Sequence, residues 1–133
     1  MKYLLDTDIC IYIIKRKPEG VFLRFASLIP GDVGISSVTL AELQFGVEKS
    51  LDPARNQEAL EAFLIPLEIA SFGPGASVHY GRLRTALERA GRAIGSMDML
   101  IAAHALDLSV PLVSNNVREF SRVPGLRVEN WAE

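Results

Sequence analysis

Short apolar runs alternate with longer amphipathic stretches along the chain. The apolar run from Tyr3 to Leu5 stops at a charged residue, which is typical of a short buried strand. Apolar residues at helical spacing then continue to about Lys17, which predicts a helix capped by Thr7 or Asp8. The alternation repeats to the end of the chain. It predicts further strands at 33–35, 67–70, 111–113 and 126–128, and further helices at about 18–28, 36–49, 52–66, 76–90 and 96–108.

Strands that alternate with helices predict an α/β sandwich with a mostly parallel central sheet of about four to five strands. A length of 133 residues fits a single domain, 1–133, and 49% hydrophobic with 23% charged residues is typical of a globular protein. In such sheets ligands bind beyond the carboxyl ends of the strands. We therefore expect Asp6, Glu42 and the segment 115–119 to converge, whereas Asp98 opens a helix without a clear preceding strand.

Composition excludes several classes of site. Cys10 is the only cysteine, so an intrachain disulfide framework or a Cys-rich zinc site is excluded. No apolar run approaches the roughly 20 residues of a membrane span, and Asp6 interrupts the first run too early for a signal peptide. We expect a soluble cytoplasmic protein without membrane association.

The charge balance bears on nucleic-acid binding. The net charge is −2, which argues against such a partner unless the acidic residues surround divalent cations that reverse the sign of the site. The basic residues that could then contact phosphates, or simply face solvent, are Lys15, Arg16, Lys17, Arg82, Arg84, Arg89, Arg92 and Arg118.

Three carboxylates lie among apolar neighbours, at Asp6, Glu42 and Asp98. A charge in such a context must pair, bind metal or reach solvent in a cleft. Carboxylate oxygens suit Mg²⁺, which can activate water and stabilise charge on a scissile phosphate. The set therefore predicts phosphodiester hydrolysis.

Helix capping is the alternative for most of these acids. Thr39 with Glu42 and Asn116 with Glu119 match capping boxes, and Ser96 with Asp98 matches a capped first turn, whereas Asp6 has no comparable structural explanation. Other polar residues also keep two interpretations. Thr7, Ser37 and Ser114 support the acids or cap helices, and His79, His104 and Cys10 are core or surface residues.

Four ordered blocks of the chain lie at 4–11, 35–50, 94–104 and 112–120, followed by an ending at 123–131. These blocks and the ending resemble those of the VapC toxins of VapBC toxin–antitoxin systems. The resemblance implies a PIN-like α/β/α sandwich and an endoribonuclease that depends on Mg²⁺, or on Mn²⁺, and cuts RNA, with tRNA as one substrate class.

By position, the resemblance makes Asp6 and Asp98 metal ligands and Glu42 an additional acid. Many PIN domains carry Asp where this chain has Asn116, so the fourth acidic position either passes to Glu119 or lapses. The catalytic set is thus Asp6, Glu42, Asp98 and Glu119. Asp8 stands where relatives often have Asn, and it could raise the pKa of a neighbouring acid in the absence of metal.

The resemblance also implies partners. A VapB-like antitoxin would lay an amphipathic segment in an apolar groove of the N-terminal helices, with a basic side chain reaching the acids. The chain would form a homodimer, or a heterotetramer or larger complex with antitoxin, and would reach operator DNA only through the antitoxin.

The residues leave two rival functions open. One is a haloacid-dehalogenase-like phosphatase using Asp6 and Asp8, and the other is a non-catalytic antitoxin-binding module.

Overall fold

The computed structural model describes residues 1–132 and has the predicted alternation of strands and helices. The strands are β1 Tyr3–Leu5, β2 Val33–Ser36, β3 Glu68–Ala70, β4 Leu112–Val113 and β5 Val128–Glu129. The helices are α1 Thr7–Lys15, α2 Glu19–Ala26, α3 Ser37–Glu48, α4 Pro53–Leu64, α5 Pro74–Arg89, α6 Ser96–Leu108 and α7 Val117–Phe120. None of these helices is long and apolar enough to cross a membrane.

The strands form one sheet in the order β3-β2-β1-β4-β5, and every neighbouring pair is parallel. The predicted parallel sheet is therefore confirmed. Leu4 of β1 lies opposite Gly34 of β2 and Leu112 of β4, so the first strand of the chain occupies the middle of the sheet. Because all five strands run the same way, the residues that follow β1 and β4 emerge side by side at one edge.

Helices cover both faces of the sheet, as the sandwich prediction requires. Leu5 and Val113 pack into one apolar cluster with residues of α1 to α4, such as Ile9 and Leu60. Their neighbours Leu4 and Leu112 point to the opposite face, where the second cluster includes residues of α5 to α7. This alternation follows from the period of two along a strand.

Several predicted boundaries are wrong by a few residues. α1 ends at Lys15, because Arg16 adopts a left-handed conformation with φ 57° that closes the helix. Pro18 is the N-cap of α2 rather than part of its first turn, and the last strand lies at Val128–Glu129 rather than at 126–128. The helix α7 is short enough to carry no periodic signal.

Candidate acidic active site

Asp6 lies between β1 and α1 with only 5% of its surface exposed. Its Oδ1 accepts a hydrogen bond from the backbone N–H of Thr7 at 2.8 Å, and its Oδ2 accepts one from Ser114 Oγ at 2.7 Å. Asp6 is also the N-cap of α1, so the expectation that it lacked a capping role, and that Thr7 or Asp8 capped the helix, is wrong. Thr7 at the start of α1 and Ser114 after β4 thus fix this carboxylate from two sides.

Glu42 reaches the same edge from α3. Thr7 Oγ1 donates a hydrogen bond to Glu42 Oε1 at 2.7 Å across 35 residues of sequence. The capping-box interpretation of Thr39 and Glu42 is wrong, because α3 begins at Ser37 and its N-cap is Ser36, whose Oγ accepts from the N–H of Val38 at 3.1 Å. Glu42 is therefore oriented toward Thr7 rather than toward the helix terminus.

Glu119 is held by the loop that follows β4. Ser114 Oγ, which donates to Asp6, also accepts from the backbone N–H of Asn116 at 2.9 Å. The Asn116 side-chain amide in turn donates to Glu119 Oε2 at 3.1 Å. Asn116 makes no side-chain cap bond to α7, so the predicted capping box is replaced by a bond that orients Glu119.

Asp98 lies in the first turn of α6, whose N-cap is Gly95 without a side-chain cap bond, so the predicted Ser96 cap is wrong. Burial raises the pKa of Asp98 to about 6, with further contributions from hydrogen bonding to Glu119 and from the charges of Glu119, Glu42 and Asp8. Asp98 therefore lies close to these three carboxylates. The predicted convergence of Asp6, Glu42 and the segment 115–119 is seen in the bonds that join them through Thr7 and Ser114, and Asp98 joins this set although no strand precedes it.

The pKa of Asp6 is also raised in the presence of nearby carboxylates. Burial and, after it, the charge of Asp8 raise the pKa of Asp6 to about 7, although the bonds from Ser114 and Thr7 act in the opposite direction. This agrees with the expectation that Asp8 raises the pKa of a neighbour. Among residues 1–132, none of Asp6, Asp8 and Asp98 forms an ion pair that would compensate its charge.

Asp8 adds a fifth carboxylate beside the site. Its Oδ2 accepts from the backbone N–H of Asn115 at 3.1 Å, whereas its Oδ1 is buried and has no hydrogen-bond partner among the described residues. Asn115 also donates through Nδ2 to the Tyr12 hydroxyl at 3.3 Å and accepts from Asn130 Nδ2 at 3.1 Å. Sequence reasoning missed Tyr12 and Asn130, because no local pattern links either residue to Asp8.

Some of the other predicted site residues contact the acids, and the others do not. Thr7 and Ser114 contact the acids as predicted, but Ser37 does not, because its Oγ accepts from the backbone N–H of Phe72 at 3.0 Å. Cys10 is buried, and Arg118 is exposed on α7 beside Glu119. His104 is buried with 1% exposure, so it belongs to the core.

The donor set suits a hard cation. It consists of carboxylate oxygens, which are ligands that Mg²⁺ and Mn²⁺ prefer. A bound cation would offset the burial and the repulsion that raise the pKa of Asp6 and Asp98. As the side chains stand, no three His, Cys, Asp or Glu groups within residues 1–132 are close enough to hold one ion together.

An apolar groove of about 410 Å³ begins at the acidic site. Glu42 lines it and also belongs to the acidic set, so the two features are continuous. Lys15 and Lys49 stand among its lining residues. Its apolar lining comes from α1, α3 and α4 and includes Ile11, Ile14, Leu43, Val47 and Leu60.

Comparison with known proteins identifies the family. The PIN-domain family model matches residues 3–126. Ribonuclease VapC2 of Rickettsia felis is 46% identical over 132 residues, covering 98% of each chain. The tRNA(fMet)-specific endonuclease VapC of Salmonella typhimurium is 44% identical over 131 residues, again covering 98% of each chain. The chain belongs to the VapC family of PIN-domain ribonucleases.

The solved structures agree with this assignment. The VapBC2 complex of Rickettsia felis, bound to a DNA fragment from its promoter, superposes with a TM-score of 0.92 at 45% identity, over 98% of this chain and 99% of that chain. Membership of the VapC family decides against the phosphatase interpretation of Asp6 and Asp8, and it confirms the family suggested by the four sequence blocks.

Proposed function

We propose that this VapC-family chain is the toxin of a toxin–antitoxin pair and hydrolyses RNA with a divalent cation held by Asp6 and Asp98. The observation that carries the proposal is the convergence of Asp6, Glu42, Asp98 and Glu119 at one edge of the sheet, with the pKa of Asp6 raised to about 7 and that of Asp98 to about 6. Buried acids that repel one another in this way are typical of a site built for a cation.

The cation and the side chains around it would have separate roles in the proposed reaction. A bound Mg²⁺ or Mn²⁺ ion would act as a Lewis acid toward the scissile phosphate and acidify the attacking water. Ser114 and Thr7 hold Asp6 in place, and Thr7 also fixes Glu42 through its Oε1. Glu42 Oε2 would receive the proton of the attacking water. Asn116 supports the site by orienting Glu119, which takes the fourth acidic position.

The decisive substitution is Asp6→Asn, which removes a charge but keeps an oxygen that can cap α1. We expect cleavage of an RNA substrate by the pure protein to require Mg²⁺ or Mn²⁺, to stop with EDTA, and to fall roughly a hundredfold or more in Asp6→Asn, since metal catalysis contributes several kcal/mol. The measurement is the single-turnover cleavage rate, with circular dichroism to verify the fold.

Glu48→Gln is the matched control, because Glu48 is an exposed acid on α3, the helix that also carries Glu42. It should cleave RNA at the wild-type rate, whereas Glu42→Gln should be strongly impaired. Cleavage by Asp6→Asn at the wild-type rate, or undiminished cleavage in EDTA, would show that the proposed mechanism is wrong.

We infer that the substrate is a structured RNA, and tRNA is the class to test first because the Salmonella typhimurium relative is named a tRNA(fMet)-specific endonuclease. Exposed arginines are available for phosphates, with Arg118 next to Glu119 on α7 and Arg92 in the segment that precedes α6. Mapping of cleavage ends in total RNA after induction would identify the substrate.

We propose that the apolar groove receives the antitoxin. Its aliphatic lining fits an amphipathic segment, and Glu42 at the junction with the acidic site fits a basic side chain of that segment. Such a side chain would compete with the cation and so inhibit cleavage. We expect a homodimer, or larger complexes with antitoxin, to reach operator DNA through the antitoxin, as the promoter-bound Rickettsia felis complex suggests.

Ile11→Gln tests the groove without a large folding cost, because Ile11 is 38% exposed. We expect this variant to cleave RNA normally but to bind the co-expressed antitoxin about tenfold more weakly, since removal of an apolar anchor costs more than about 1 kcal/mol. The control is Leu23→Gln, which changes an apolar residue of α2 that is 56% exposed and lies outside the groove lining. Equal antitoxin affinity in both variants would place the antitoxin elsewhere.

A further inference from the structure

His104 makes a long-range contact that the acidic mechanism does not use. It lies in the middle of α6 with 1% of its surface exposed, and its Nδ1 is 2.7 Å from Ser36 Oγ across 68 residues of sequence. Among residues 1–132 this is the only side-chain hydrogen bond that joins α6 to β2 or α3. A buried polar pair of this kind fixes its elements in one arrangement.

The bond connects the two helices that carry Glu42 and Asp98. Ser36 ends β2 and is the N-cap of α3, the helix that carries Glu42. His104 belongs to α6, which carries Asp98 in its first turn. Glu42 and Asp98 both belong to the acidic set, so the placement of α3 relative to α6 sets the separation of these two carboxylates.

A second contact fixes the same ring from another side. The His104 ring packs edge to face against Phe72, with ring centroids 5.4 Å apart and an interplanar angle of 77°. The backbone N–H of Phe72 donates to Ser37 Oγ, in the first residue of α3. His104 therefore contacts the start of α3 directly through Ser36 and indirectly through Phe72 and Ser37.

The direction of this bond depends on the tautomer of His104. Ser36 Oγ accepts from the backbone N–H of Val38 and still has its own hydrogen to donate. If that hydrogen goes to His104 Nδ1, the ring is neutral and carries its hydrogen on Nε2. Burial lowers the pKa of His104, which favours the same neutral form, although the nearby Asp107 acts in the opposite direction.

We propose that His104 is a positioning residue, whose Nδ1 accepts a hydrogen bond from Ser36 and thereby sets Asp98 on α6 at its working distance from Glu42 on α3. The inference rests on the proposed acidic mechanism. A positioning role means that loss of the bond affects cation binding and the chemical step, and not merely the stability of the fold.

Two substitutions separate the hydrogen bond from the packing. His104→Phe keeps a ring against Phe72 but offers no acceptor to Ser36. His104→Asn keeps an oxygen close to the position of Nδ1 but loses most of the ring. We expect His104→Phe to bind Mn²⁺ about tenfold or more weakly and to lose kcat by a similar factor with an unchanged KM, as found for groups that orient metal ligands. His104→Asn should regain most of both.

Phe72→Leu is the packing control, because it disturbs the contact with the His104 ring and leaves the bond to Ser36 in place. It should lower the Tm without weakening Mn²⁺ binding. Mn²⁺ affinity is measured by electron paramagnetic resonance on the purified protein, and kcat and KM on a cleavable RNA. Nitrogen-15 NMR of the wild-type imidazole at pH 7 reports the tautomer directly and needs no variant.

The results of these measurements either support or overturn the positioning role of His104. A neutral His104 with its hydrogen on Nε2, together with rescue by Asn but not by Phe, supports the proposal. A hydrogen on Nδ1, an imidazolium at pH 7, or unchanged Mn²⁺ binding and kcat in a folded His104→Phe protein overturns it. Asp6→Asn serves as the reference. If that variant also keeps full Mn²⁺ affinity and activity, it is the acidic mechanism that fails.

Discussion

Asp6 serves two purposes that conflict energetically. Its oxygens cap α1 and accept from Ser114, which favours the folded protein, yet its charge is buried beside Asp8 and disfavoured without a cation. Functional sites commonly retain such groups at a cost in stability. The same residue that organises the first helix is therefore expected to destabilise the metal-free protein at neutral pH.

The pH dependence of this cost has a definite sign. The pKa of Asp6 is about 7 in the folded protein against 3.8 for an ordinary Asp, so the folded state binds more protons between these values and loses stability as the pH rises through them. In EDTA, we expect Asp6→Asn to melt at a higher temperature than wild type at pH 8, and the difference to shrink toward pH 4. Thermal denaturation over this range measures it.

Added Mn²⁺ provides the control for that prediction. A cation that binds only the folded wild-type protein raises its Tm by mass action, and Asp6→Asn should gain much less. A wild-type protein that is more stable than Asp6→Asn at pH 8 in EDTA would contradict the proposed cost of the buried charge.

The sequence indicates which residues form the site better than it indicates how they are held. Asp6 follows a buried strand and Asp98 opens an apolar helix, and both features are visible without a structure. The bond from Asn116 to Glu119 looks like a capping box in sequence, because the spacing is the same in both cases. The pairing of Ser36 with His104 joins residues that are 68 positions apart in the chain and therefore leaves no local signal.

Helix α4 lines the groove but carries no member of the acidic set, so its stability can be changed independently of the chemistry. Asp52 is its N-cap, and its Oδ1 accepts from the backbone N–H of Arg55 at 3.2 Å. Asp52→Ala should cost about 1 kcal/mol of unfolding free energy and lower the Tm by a few degrees. The rate of RNA cleavage should not change, and a clear loss of activity in the folded variant would contradict this separation.

The type and order of the longer elements are predictable because their periodicity is strong. Asp52 before Pro53 predicts the start of α4 correctly, since Asp caps well and Pro suits the first helical position. The start of α3 is harder, because residues 36–39 offer several caps and only the tertiary position of Ser36 selects one. The four residues of α7 are too few for a periodic pattern to appear.

On the scale of the whole molecule, the last described residues are anchored to the first strand. Trp131 is 6% exposed, its ring lies edge to face with Tyr3 at 5.3 Å, and Arg24 stacks over it at 5.1 Å. Trp131→Ala should lower the free energy of unfolding by about 3 kcal/mol or more, as large core truncations do. Urea denaturation measures this loss. As a control, Leu51→Ala truncates a fully exposed side chain and should leave the free energy of unfolding unchanged.

The central position of β1 also governs the timing of the site during translation. During synthesis β1 must wait for β4 as its second neighbour, and Asp98, Ser114 and Glu119 emerge long after Asp6 and Glu42. A nascent chain of β1 to β3 can begin to fold, since domains form from the N-terminal side during synthesis, but it holds only part of the acidic set. The acidic set is therefore complete only after the segment that carries Ser114 and Glu119 has been synthesised and β4 has paired with β1.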